Sequence, residues 1–77
     1  MKEETIAKFK YENNIFKLLK ITEDYSFEED PPYTTYAEKF LIIKNRKRLS
    51  WTKWEETAKQ KFANIIAGEL MQTKLSL

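Results

Sequence analysis

Two eight-residue runs flanking an asparagine pair constrain this chain more than any other feature. In TIAKFKYE (5–12), Ala7, Phe9 and Tyr11 alternate with Lys8, Lys10 and Glu12, the period of a strand with one buried face. Asn13-Asn14 follows, and asparagine tolerates the positive φ of a two-residue hairpin turn. IFKLLKIT (15–22) then reads as the return strand. Pairing outward from that turn sets Tyr11 opposite Phe16 and Phe9 opposite Leu18 on one face. The other face opposes Lys10 to Lys17 and must therefore be wet. A helix from Glu3 to Glu12, with Glu4–Lys8 at i,i+4, is the rival reading.

The chain has 77 residues, enough for one small domain over 1–77. At that size a core supplies only about 3–5 kcal/mol of net stability, so a staple is often needed. Without cysteine or histidine, disulfides and ordinary zinc sites are excluded. Packing or a second copy must supply the difference. Five Phe, four Tyr and two Trp make a real core feasible.

No run approaches the roughly 20 apolar residues of a membrane span; the longest is FLII, 40–43. The N-terminal MKEETIAKFK is charged where a secretory signal is apolar. A soluble cytoplasmic protein without a membrane partner is expected. Phe, Tyr, Met, Ile, Asn and Lys together outnumber Gly, Ala, Arg and Pro 34 to 10. That bias suits an A/T-rich genome, such as a low-GC bacterium or its phages.

EDYSFEEDPPYTT (23–35) reads as an acidic loop, because Pro31-Pro32 removes backbone donors. YAEKFLIIKN (36–45) is ambiguous. Thr35 and Glu38 fit a helix capping box, whereas the apolar run with two isoleucines favours a strand over 38–44. Beyond it, Trp51, Trp54, Ala58, Phe62, Ile65 and Ile66 fall on one helical stripe, so both tryptophans are expected in the core. Ser50, or Thr52 with Glu55, would cap that helix. Gly68 would end it, since continuation places Glu69 on the apolar stripe. Residues 69–77 would form a tail, with Leu70 or Met71 docked. The expected fold is α+β: a small antiparallel sheet, made of an N-terminal hairpin plus a third strand, packed against one C-terminal helix. An all-α three-helix bundle is the alternative.

Two groups of residues could meet a partner. Lys44, Arg46, Lys47 and Arg48 would sit just before the helix N-terminus, where basic side chains and free N–H groups suit an anion. Tyr25, Phe27, Glu28, Glu29 and Asp30 would offer acids and aromatics to a basic protein surface. Residues 1–30 carry five positive and eight negative groups, and residues 31–77 nine and four, an asymmetry that permits electrostatic steering. One glycine excludes a Gly-rich phosphate loop, and the acidic run lacks the spacing of an EF-hand. No catalytic residue, metal or cofactor is expected, and the chain does not read as an enzyme.

The expected function is therefore a non-catalytic protein-binding regulator or inhibitor of a nucleic-acid-handling host protein, of the anti-defence kind encoded by phages and mobile elements. The alternative is a small DNA-binding module using the 44–48 patch. Three strands and a helix, with basic residues at the last strand's end, resemble the arm-site-binding domains of tyrosine recombinases; the resemblance implies a sheet laid in a DNA groove. A homodimer, in which a second copy covers surplus apolar surface, is a further expectation.

Overall fold

The computed structural model describes residues 1–75, with side chains described as far as Met71. Four strands, β1 (Lys2–Tyr11), β2 (Asn14–Phe27), β3 (Tyr33–Lys44) and β4 (Lys47–Thr52), precede one helix, α1 (Glu55–Leu75). The strands form an antiparallel meander in the order β1-β2-β3-β4. The fold is the expected α+β sheet with a C-terminal helix, not a helical bundle, and it gains a fourth strand. No helix among the described residues is long and apolar enough to cross a membrane.

The N-terminal hairpin forms, with its turn one residue earlier than expected. Tyr11 pairs with Asn14 and Phe9 with Phe16, and Glu12 takes the left-handed φ of 55°. Both phenylalanines keep the inner face, because the shift moves the register by an even number of residues. A bulge between Thr5 and Ala7 lets Ile6 and Ala7 both pack on the core. The segment 36–45 is strand throughout: Phe40 and Ile42 reach the core, while Leu41 and Ile43 point the other way.

The core lies between one sheet face and α1. Phe16, Leu18, Phe40 and Ile42 meet Ala58 and Phe62, with Phe9, Ile65 and Ile66 at the margin. Fully burying one such side chain stabilises by about 1.5–3 kcal/mol. Of the expected stripe only Ala58, Phe62, Ile65 and Ile66 are helical. Trp51 is in β4 and Trp54 in the connection, with 61% and 69% of their surfaces exposed. The expectation that both are core residues is overturned. Period-3 spacing continued by accident from a strand into a helix. Trp54 is itself the helix cap: its carbonyl accepts the Ala58 N–H at 3.0 Å, and its N–H donates to Thr52 Oγ1 at 3.3 Å. Ser50, in β4, instead accepts from Lys61 Nζ at 3.4 Å.

Gly68 does not stop the helix, which continues to Leu75. Glu69 does fall near the end of the stripe, but there it meets polar partners. Lys44 Nζ lies 3.6 Å from its carboxylate, and Asn14 Nδ2 donates to it at 3.4 Å. Leu70 and Met71 are exposed rather than docked. The expected tail over 69–77 is thus helix as far as Leu75, and residues 76–77 lie outside the described residues.

Candidate nucleic-acid interface

α1 covers one face of the sheet, and among the described residues no element covers the other. Reading the register across the strands gives that open face as rows. The first runs Lys8–Lys17–Ile43–Arg48, one residue from each strand. The second runs Thr5–Leu19–Leu41–Trp51. The third is Glu3–Ile21–Lys39. Leu19, Ile21 and Leu41 form a small second core, flanked by long side chains: Lys39, Arg48 and Trp51 line one depression with Ile21 and Leu41. Amphipathic side chains commonly shield apolar surface in this way while keeping their charge in water.

The first row is electrostatically costly by itself. Lys8 and Lys17 are direct cross-strand partners, and like charges so placed repel. Among the described residues, neither they nor Arg48 have an ion-pair partner. Arg46 lines the same face beside Lys17 and Ile43. The exposed indole of Trp51 stands in the adjacent row.

The basic cluster does not lie directly before the helix as expected. Residues 44–48 form the β3–β4 hairpin, and β4 separates them from α1. Asn45 and Arg46 take φ of 49° and 75°, the left-handed pair of a two-residue hairpin turn. Strand alternation then divides the cluster. Lys44 turns to the helix side, paired with Glu69 and 5.5 Å from the centre of the Phe16 ring. Lys47, opposite Lys44, is exposed on that side. Arg48 joins the open face. Only Arg46 and Arg48 therefore contribute to the cationic row. The alternation of the hairpin already puts Lys8 and Lys17 on its wet face, but nothing local in the sequence shows that they share a row with Arg48 or that Trp51 is exposed; the odd-numbered alternation from Ile15 through Phe27 marks the face on which the register gathers them.

The expected acidic loop is mostly strand as well. β1 pairs with β2 only as far as Thr22, and β4 with β3 only from Phe40. Residues 23–27 and 33–39 thus form a two-stranded ribbon with both edges free, closed by a connection over 28–32. This arm helps draw the molecule out to 64 Å. Tyr25 and Phe27 lie on β2, continuing the open face; Phe27 stacks on Tyr33 with centroids 4.9 Å apart. Glu28, Glu29 and Asp30 occupy the tip. No lysine or arginine occurs between Lys20 and Lys39. At the arm's base Tyr25 donates to Glu23 at 2.6 Å, and Lys39 pairs with Glu23 at 3.3 Å. The Tyr25 hydrogen bond first, then Lys39, holds the Glu23 carboxyl below its usual range, and the same bond raises the Tyr25 phenol. A cleft of about 400 Å³ opens here, walled by Tyr25, Lys39, Trp51 and Lys53. No group of three or more acidic side chains among the described residues is gathered closely enough to hold a metal ion.

The architecture is that of a four-stranded antiparallel meander backed by one helix, with an open face that is basic at one end and acidic at the other. No known protein family matches the chain, and neither a curated protein nor a solved structure matches it.

Proposed function

We propose that this chain is a non-catalytic binding module whose open sheet face holds an unpaired nucleic-acid strand. The cationic row Lys8–Lys17–Arg48 beside the exposed Trp51 carries the reading. Phosphates lying along the row would relieve its internal repulsion, and bases would reach the indole in the next row. Base–aromatic stacking contributes about 1–3 kcal/mol per base and needs the base out of its duplex. That requirement favours a single strand over the DNA groove implied by the recombinase resemblance.

Titration of fluorescently labelled oligothymidine at low salt tests the reading. Affinity should fall with salt at a log–log slope of about −2, as for three phosphate contacts on a single strand. Lys17→Glu with Arg48→Glu should abolish binding, and Trp51→Ala should weaken it at least fivefold. Absence of binding to single strands and duplex alike would sink the reading. Preference for duplex would remove its single-strand part.

The arm favours a second reading, a protein-binding regulator of a nucleic-acid-handling protein, of the phage anti-defence kind. Its support is the ribbon's free edges, exposed aromatics and uniformly acidic charge, which suit strand addition by a basic segment. Changing Glu28, Glu29 and Asp30 to Lys should then abolish capture of a basic partner without weakening oligonucleotide binding.

A further inference from the structure

We propose that the open faces of two copies pack against each other about a two-fold axis, the acidic arm of each lying over the cationic row of the other. The proposal builds on the nucleic-acid reading of that row and adds its regulation: the dimer masks the row, and a strand competes with it.

The self-complementarity is visible in the order of residues along β2. The open face presents Lys17, Leu19, Ile21, Glu23, Tyr25 and Phe27 in succession. A two-fold axis level with Thr22, midway between Lys17 and Phe27, pairs these in reverse. Lys17 then faces Phe27 and the acidic tip; Leu19 and Leu41 face Tyr25; Ile21 and Lys39 face Glu23. Lys17 and Phe27 each lie about 17 Å from Thr22 along the strand at about 3.3 Å per residue, so the arm matches the stretch of open face from the axis to the cationic row of its partner.

Charge follows the same symmetry. The segment 23–37 carries Glu23, Asp24, Glu28, Glu29 and Asp30 and no cation, hence −5, and the rest of the chain therefore carries +7 of the overall +2. Every basic row would meet an acidic tip, twice per dimer. An isologous contact of this kind closes on itself and does not propagate. It would cover the exposed surfaces of Tyr25, Phe27, Tyr33 and Trp51. It would also give the arm a packed face, which a two-stranded ribbon alone in water lacks.

A charge-swap experiment reads this directly. Mass by sedimentation at low salt should be that of a dimer, dissociating as salt is raised. A variant with Glu28, Glu29 and Asp30 changed to Lys has two basic ends and should be monomeric. A variant with Lys17→Glu and Arg48→Glu has two acidic ends and should also be monomeric. Mixed, the two should form a complex of 1:1 mass, and Trp51→Ala in both should weaken that complex. The arm variant, freed from self-masking, should bind oligothymidine at least threefold more tightly than the parent chain. A parent that stays monomeric at millimolar concentration and low salt overturns the dimer. So does a mixture that yields no 1:1 complex. Failure of the monomeric arm variant to bind any oligonucleotide would instead overturn the nucleic-acid reading and leave the dimer standing.

Discussion

Asn45 and Ile15 are joined by two hydrogen bonds. The Asn45 N–H donates to the Ile15 carbonyl at 3.0 Å, and the Ile15 N–H donates to Asn45 Oδ1 at 2.8 Å. The Asn45 amide also donates to Asn14 Oδ1 at 2.8 Å. One turn residue thus locks the β3–β4 tip to the start of β2, which sets the register that aligns Lys17 with Arg48.

Asn45→Ala removes the side-chain bonds and puts a Cβ-bearing residue without local polar help at φ 49°. A loss of about 2 kcal/mol is expected in urea unfolding. Asn45→Gly keeps the backbone conformation and loses only the bonds, so it should fall by about half as much. A glycine variant as stable as the parent would show that the side chain contributes nothing.

Ile42 and Trp51 are the contrast between core and surface. Ile42 is buried to within 1% of its area, and Ile42→Ala should cost about 2–5 kcal/mol, enough to exhaust the roughly 3–5 kcal/mol expected of so small a domain. Trp51→Ala should leave the thermal midpoint nearly unchanged while weakening oligonucleotide binding. A collapse of stability on losing Trp51 would return that indole to the core.

Gly68 lies inside α1; among the described residues no atom other than its chain neighbours and the helix's own backbone comes within 4 Å of where a Cβ would stand, and it lacks a positive φ. Gly68→Ala should therefore stabilise by about 0.5–1 kcal/mol. A helix ending there in the left-handed conformation would give the opposite sign, so one denaturation curve distinguishes the two.

The Glu23–Tyr25 bond predicts a pH window. The Glu23 carboxyl is depressed, so its contribution is present above its unfolded pKa and lost as pH falls through the lowered folded value. The Tyr25 phenol is raised, so its contribution is lost as pH rises through the raised value. The arm's base should be most ordered between those limits. Tyr25→Phe should move the Glu23 carboxyl upward in an NMR titration; an unchanged titration would mean that the bond does not form in solution.

The hairpin, the strand around Phe40–Ile43 and the Ala58–Phe62–Ile65 helix face were legible because each repeats the period of its element over several residues. The tryptophans misled because their spacing matched the helix that follows them. Ser50, Thr52 and Glu55 offered several plausible caps, and none of these residues signals that β4 must end first. The acidic segment misled for the converse reason. Pro31-Pro32 marks a break five residues wide, but strand pairing on both sides of it depends on β2 and β3 being in register from Phe16 to Phe27.

By itself, the sequence determined the alternation that makes strands, the lack of cysteine and histidine, and the separation of charge between an acidic stretch and a basic remainder. These are properties of neighbours along the chain. Only the tertiary structure decided which lysines share a row, that Lys44 is drawn to Glu69 while Arg48 faces outward, and that Trp51 is bare. The physical reason is that one helix can cover only one face of a four-stranded sheet, and strand register alone assigns each side chain to the covered or the open side.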